Sequence, residues 1–172
     1  MKSGSNNELP ADTEWAPWLA RHAPALLLFA RQQARCEADA QDLVQEAVVE
    51  SWRRQRDGAP PPLGLVYATI RHRAIDLARR EERRLEREVA AHLDNPQCWF
   101  DSGVDDRERH LLIQRAMSHL PAIYRDVVTL KVWGGLTFGE IAEALDIPAN
   151  TAASRYRYGL MELRKLTKEV LA

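Results

Sequence analysis

The stretch LTFGEIAEALDIPANTAASRYRYGLMEL, Leu136 to Leu163, decides the fold: its spacing fits two short helices crossing at a tight turn, the second carrying cations. Thr137 lies three residues before Glu140, the spacing of a capping box in which each side chain satisfies one orphan amide of a new helix. Ile141, Ala142 and Leu145 then form an apolar face, and small Ala142 allows a close crossing. Ile147 and Pro148 interrupt that helix. Asn150-Thr151 opens the next, on which Tyr156, Leu160 and Leu163 repeat at helical spacing. Its outward positions include Asn150, Ala153, Ser154, Arg155, Arg157 and Tyr158, a set suited to phosphates and base edges in a major groove. The pattern is that of a helix-turn-helix; the alternative is an ordinary helical hairpin with a solvated basic face.

Around this segment, the composition points to an all-α protein. Of 172 residues only 8 are glycine, Ala, Leu, Arg and Glu abound, and no alternation is long enough for a sheet. The 45% hydrophobic content suffices for packed cores, in one ordinary domain or two small ones. No run approaches a membrane span and the opening MKSGSNNELP lacks an apolar signal core, so a cytoplasmic protein without membrane insertion is expected. Cys36 and Cys98 sit in unlike contexts without metal-ligand spacing and read as two reduced thiols.

The net charge of −1 conceals a segregation. Residues 53–88 carry ten Arg against six acids, and residues 150–172 carry five cations against two acids. Residues 1–50 and 89–149 are each acidic by four. Two basic zones separated by an acidic middle imply two distinct contacts with a polyanion.

Residues 1–10 read as a mobile polar tail. A first helical domain spans residues 11–90, residues 91–106 form a linker, and a second helical domain spans residues 107–172. Within the first, one helix runs from Asp12 or Glu14 to about Arg35 through Trp18, Leu19, Leu26, Leu27 and Phe29, with Pro24 placed to kink it. A second starts near Asp39 and ends before Gly58. Its stripe is Leu43, Val44, Ala47, Val48 and Trp52, which leaves Asp42, Gln45, Glu46, Val49, Glu50 and Arg53 outside. After Pro60-Pro61-Pro62 a third helical pattern runs through Val66, Tyr67, Ile70, Ala74, Ile75 and Leu77 into the charged run ARREERRLERE, with a turn expected near His72 to Asp76. Trp99-Phe100 is too apolar for a free linker and is expected to dock on one of the domains. Beyond it, Leu111, Leu112, Ala116 and Leu120 mark a helix, and Ile123, Val127, Val128, Leu130 and Val132 mark another, ending at Gly134-Gly135.

Three stretches in this order resemble the sigma subunits of bacterial RNA polymerase, specifically the short extracytoplasmic-function group. DAQDLVQEAVVESWRR, Asp39 to Arg54, is similar to the family's core-polymerase-binding helix. LVYATIRHRAIDLARREERR, Leu65 to Arg84, resembles the segment that melts and reads the minus-ten promoter element. LPAIYRDVVTLKVWGGLTFGEIAEALDIPANTAASRYRYGLMELRKL, Leu120 to Leu166, resembles the domain that reads the minus-thirty-five element.

The resemblance implies that Asp42, Gln45, Glu46, Val49 and Arg53 dock on RNA polymerase core, at the clamp helices of its largest subunits. It implies that Tyr67, Arg71, His72, Arg73, Asp76, Arg79 and Arg80 meet minus-ten DNA, the cations on the backbone and the others near a captured base. Tyr67 also sits on an apolar face, where a core role is the stronger alternative. His72 stands where the family often has Asn, and Leu65 where Trp is frequent. For the minus-thirty-five element the implied residues are Asn150, Thr151, Ala153, Ser154, Arg155 and Arg157, with Ala153 where a Lys is common. The expected partners are core polymerase, promoter DNA and an anti-sigma protein, and the expected place is the bacterial cytoplasm, at the nucleoid.

The implied function is promoter recognition and strand opening without catalytic chemistry. A competing reading is a dimeric helix-turn-helix repressor or activator that never serves as a polymerase specificity subunit. An enzyme is disfavoured: no nucleophile constellation, metal cluster or phosphate-cradling loop appears, the five His at 22, 72, 92, 110 and 119 are dispersed, and no cofactor or metal is expected.

Overall fold

The computed structural model describes residues 12–55, 59–85, 99–100 and 107–171. The tail at residues 1–10, the Cys98 thiol and most of the 91–106 linker lie outside the described residues. Among those described, the chain forms seven helices and no strand: α1 (Asp12–Gln33), α2 (Glu37–Arg53), α3 (Leu63–Leu85), α4 (Arg107–His119), α5 (Ala122–Val132), α6 (Phe138–Leu145) and α7 (Ala149–Leu171). The all-α expectation holds.

Helix α1 stays helical through Pro17 and Pro24. Helix α2 begins earlier than expected because Cys36 serves as its N-cap, the thiol sulfur accepting from the Asp39 amide at 3.4 Å. Its buried stripe is Ala40, Leu43, Ala47 and Ser51. Trp52, expected inside, is 45% exposed. The stripe's spacing of 3, 4 and 4 puts Ser51 at the inward position, where its hydroxyl meets Thr69 of α3 at 3.4 Å. Trp52 falls one step round the helix, and its ring meets Trp15 edge-on. The turn expected near His72 to Asp76 is absent: α3 is one helix of 23 residues, continuous through the Arg/Glu run.

The C-terminal unit has four helices, as expected. Its inward positions on α5 are Val127, Val128, Thr129 and Leu130, while Ile123 and Val132, at the helix ends, are 49% and 52% exposed. On α4, Ala116 and Met117 are buried and Leu111 is exposed, and Leu120 just beyond the helix is buried too.

The two units are in contact. A continuous apolar core runs from Leu26, Phe29, Val66, Tyr67 and Ile70 to Val127, Leu130, Leu136, Ile141 and Leu145. Helix α3 packs on α6 and α1 on α5. At the start of α3, Gly64 brings the backbone to α6, and a Cβ there would touch Glu140 at 3.7 Å. Trp99 and Phe100 dock as expected, on the C-terminal unit. Trp99 packs beside Met117, Leu120 and Val128 with the Arg125 guanidinium 5.3 Å over its ring, and Phe100 stacks on His110. The same turn is tied to the other unit, for Arg31 donates to the Trp99 carbonyl at 3.0 Å while holding Glu37 through two further bonds.

Candidate polymerase and nucleic-acid interfaces

The helix-turn-helix is built by its caps. The Thr137 amide donates to Glu140 Oε2 at 2.7 Å, and the Glu140 amide donates to Thr137 Oγ1 at 3.2 Å, completing the capping box. These bonds from Thr137 hold the Glu140 carboxyl below the usual carboxylate range. Helix α6 ends at Asp146 in the left-handed region, φ 54°, and the Ile147 amide closes the turn on the Ala142 carbonyl at 3.0 Å. Helix α7 then starts at Ala149, its first bonds falling on the Pro148 carbonyl.

Small residues let α7 lie close. Ala152 is fully buried, and Gly159 is buried where a Cβ would stand 2.8 Å from Val128 Cγ2. The inward positions are therefore Ala152, Tyr156, Gly159 and Leu163, and Leu160, expected inside, is 42% exposed. The rotation follows from α5, whose Val128 and Tyr124 leave room for a hydrogen but not a leucine. Tyr156 meets Phe138 edge-on, 5.7 Å between ring centres.

This rotation sorts the expected DNA-facing residues. Asn150 and Arg157 are exposed, and the Arg157 guanidinium lies 5.6 Å over the ring of Tyr158, itself 49% exposed. Thr151, Ala153, Ser154 and Arg155 are half-buried, and the Ser154 hydroxyl is spent on the Thr151 carbonyl at 3.0 Å. The charge of Arg155 contributes weakly to lowering the Asp126 carboxyl pKa on α5, against the larger effect of burial.

On α3 the expected set divides further. Tyr67 is a core residue, 1% exposed and edge-on to Phe29, and burial drives its phenol pKa up. It therefore corrects the placement of this ring at a captured base: an apolar face at helical spacing has gone to the core. His72, Asp76, Arg79 and Arg80 are exposed along the helix. Arg79 and Asp76 make a 4.0 Å pair open to solvent, which adds little to stability. Arg73 is half-buried and reaches across to α2. Its Nε donates to Glu50 Oε2 at 2.8 Å and its Nη1 to Glu46, both on α2. The bond from Arg73 is the main reason the Glu50 carboxyl sits below its ordinary range.

On α2, Asp42, Gln45, Glu46, Val49 and Arg53 all face outward, with Val49 44% exposed. Between this face and α3 runs an open groove of about 420 Å³ lined by Asp42, Glu46 and Glu50 on one side and His72, Arg73, Asp76 and Arg80 on the other. The acidic set expected to dock and the basic set expected to hold a strand thus meet along one seam. Sequence reasoning missed the Arg73 pairing, although Glu46 and Glu50 stand four apart on one helix face, a signal for a shared cation on a neighbouring helix.

It also missed Asp126 and Gln33. The Gln33 side-chain amide donates to Asp126 Oδ1 at 2.8 Å across the two units. Burial raises the Asp126 carboxyl pKa, against the opposing pull of Gln33 and of the charges on Arg125, Arg71 and Arg155. No linear pattern marks this meeting, since Asp126 lies 93 residues from Gln33, 55 from Arg71 and 29 from Arg155.

Comparison with known proteins agrees with the geometry. Residues 18–84 match the family described as Sigma-70 region 2, and residues 110–163 match Sigma-70, region 4. The ECF RNA polymerase sigma factor SigL of Mycobacterium tuberculosis (strain ATCC 25618 / H37Rv) is 29% identical over 155 residues, covering 87% of this chain and 86% of that one. The RNA polymerase sigma-E factor of Streptomyces avermitilis is 28% identical over 156 residues, 88% of this chain and 84% of its own. Among solved structures, the sigma factor RpoE of Bartonella quintana, in complex with the anti-sigma factor NepR, superposes with a TM-score of 0.65 at 20% identity, over 89% of this chain and 96% of that one. CnrH in complex with the cytosolic domain of CnrY gives 0.60 at 20% identity, over 90% and 87%. With both family segments matched in order over most of the chain, this protein belongs to the sigma-70 family, in its extracytoplasmic-function (ECF) group.

Proposed function

We propose that the chain is a promoter-specificity subunit: it binds RNA polymerase core through α2, reads the minus-thirty-five element with α7, and holds the opened minus-ten strand along α3. The observation that carries this reading is the coexistence, in a chain matched by both sigma-70 segments, of a capped helix-turn-helix with exposed Asn150 and Arg157 and a separate helix face bearing Asp42, Gln45, Glu46 and Val49.

A small apolar centre with a charged rim is the anatomy of a protein interface, which favours polymerase docking for that face. On α7, Arg157 is the strongest candidate for a base edge or phosphate, with Asn150 beside the helix start. Thr151, Ala153, Ser154 and Arg155 line the same helix. On α3, Arg79 and Arg80 are suited to phosphates and His72 and Asp76 to the unpaired strand. Arg71, half-buried on the same helix, joins them. Arg73 works through α2, positioning Glu46 and Glu50 beside the docking face. The protein acts without catalytic chemistry or cofactor of its own, in the cytoplasm, and an anti-sigma protein is its expected inhibitor.

Transcription in vitro tests this directly. Purified core polymerase is supplied with a randomised promoter library, with and without the chain. Start-specific transcripts that require the chain, from templates sharing two spaced elements, are the expected result. Tight binding of a dimer to a palindromic duplex with no transcripts supports the repressor reading instead.

A further inference from the structure

The Trp99-Phe100 turn is built into the C-terminal unit. The Trp99 amide donates to Gln114 Oε1 of α4 at 2.9 Å, and its ring packs beside Met117 and Val128 under the Arg125 guanidinium. Phe100 lies parallel to the His110 ring of α4, 5.6 Å between centres and 6° between planes, and meets Trp133 at the end of α5 at 5.7 Å. A single bond, from Arg31 to the Trp99 carbonyl, reaches the other unit. Two packed rings and a cation over an indole outweigh one polar bond, so the turn goes with the C-terminal unit.

Docking at this point divides the connection between the units. Thirteen residues, 86–98, lie between Leu85 at the end of α3 and Trp99, and six more, 101–106, lie between Phe100 and α4. With the turn docked, only the first group joins the two units. With the turn released, all twenty-one residues from 86 to 106 join them. At about 3.3–3.6 Å per residue the docked connection spans at most about 50 Å, and the released one about 75 Å.

The span to be bridged lies between these two lengths. Elements centred ten and thirty-five base pairs upstream lie about 25 base pairs apart, about 85 Å along a duplex at about 3.4 Å per pair. Each unit, of about 75 residues, is about 30 Å across by the usual scaling of radius with residue number. A gap of about 55 Å therefore separates the facing surfaces of units centred on the two elements. The docked connection is at full stretch over that gap, whereas the released one has slack worth about six base pairs.

We propose that Trp99-Phe100 is the fixed point that sets the working length of the connection between the units, and thereby the spacing between promoter elements that the chain accepts. The proposal rests on the reading of the chain as a promoter-specificity subunit, with α3 and α7 on the two elements. A connection too short for its two sites contributes nothing to their joint occupancy, and one that matches the span contributes most. Trp99 and Phe100 are thus specificity-determining residues that touch no base: they discriminate promoters by the length between elements.

The test is transcription by core polymerase with the full chain, on a promoter recovered from the randomised library and rebuilt with a series of spacings, from two base pairs shorter to six longer. Four proteins are compared: the parent, Trp99→Ala with Phe100→Ala, an insertion of eight Gly/Ser residues between positions 92 and 93, and the same insertion between positions 103 and 104. Each protein's output is divided by its own best spacing, so a general loss of activity or stability cancels. The parent is expected to lose at least about ten-fold when three base pairs are added. The double alanine variant and the insertion before the turn are expected to lose less than about three-fold, and the insertion after the turn to match the parent.

Equal broadening by the two insertions overturns the proposal, because the turn then fixes nothing. So does one spacing profile shared by all four proteins, since polymerase alone then sets the distance. If the double alanine variant loses its helical circular dichroism, the two insertions decide, as both leave Trp99 and Phe100 in place. Chain-dependent transcripts with unaltered profiles refute the spacing role and leave the promoter reading standing. Absence of chain-dependent transcripts at every spacing, from every protein, refutes the promoter reading and the spacing role with it.

Discussion

Helices α3 and α7 each carry a basic zone, yet the structure treats their arginines differently. On α3 the central cation, Arg73, is held by Glu46 and Glu50, and Arg79 lies near Asp76. On α7 an exposed cation of the recognition turn, Arg157, rests on the ring of Tyr158, which neither neutralises it nor removes it from solvent. The number of cations in a segment therefore overstates what it offers a polyanion. What matters is which guanidinium groups already have a carboxylate, and for Arg73 that is decided by the neighbouring helix rather than by its own.

The largest effect is expected from the partner side of the α3 seam. Asp42→Lys with Glu46→Lys places two cations on the proposed docking face, one of them beside Arg73. Core-polymerase affinity is expected to fall by about 100-fold, since like-charge contacts at an interface cost several kcal/mol. Affinity measured with fluorescently labelled core, alongside a circular dichroism spectrum of the variant, checks this. Unaltered affinity in a folded variant removes α2 from the interface.

On the α7 side, Gly159→Ala sharpens the comparison by disturbing one helix alone. The added Cβ meets Val128, which is buried and β-branched and so has little room to yield. A loss of about 1–3 kcal/mol in urea unfolding is expected, with upstream-duplex binding weakened and single-strand binding along α3 retained. An unchanged midpoint shows that α7 slides without cost.

The Arg73 bridge predicts a smaller and pH-dependent effect. Its partners are 30% and 56% exposed, so Arg73→Ala should cost no more than about 1 kcal/mol near neutral pH. Because the folded-state pKa of Glu50 is lowered, its share of that stability is present above the ordinary glutamate pKa and lost as pH falls through the folded value. Urea midpoints of the parent and Arg73→Ala should therefore converge as acid is added below pH about 4.5. A constant difference across that range means that Glu50 is not what Arg73 serves.

Much of this was legible in the sequence. The capping box at Thr137 and Glu140, the turn at Ile147-Pro148 and the outward set on α2 all follow from local periodicity and cap chemistry, and the structure has them. Errors arose where a stripe had more than one plausible edge. Trp52 and Leu160 look like core residues by type, but Ser51 falls on the stripe begun by Ala40, Leu43 and Ala47, and Gly159 takes the inner position because Val128 and Tyr124 leave space for little else. The seam at Asp126 was out of reach for a different reason: Gln33, Arg71, Asp126 and Arg155 meet through tertiary packing, and no periodicity links them. Trp99-Phe100 shows the intermediate case. Its apolarity announced docking, and the contact of Arg31 with the Trp99 carbonyl did not.

The comparison of α3 with α7 is tested most directly by the salt dependence of promoter binding. Arg73→Ala and Arg157→Ala are titrated, beside the parent, against the promoter duplex recovered by transcription, at several salt concentrations and with single-base changes in the upstream element. Arg157→Ala is expected to weaken binding by about 1–3 kcal/mol, either relaxing preference at one upstream base or lowering the salt slope by about one. Arg73→Ala is expected to leave the slope and the base preferences as they are. A slope lowered equally by Arg73→Ala, or binding untouched by Arg157→Ala, contradicts the account.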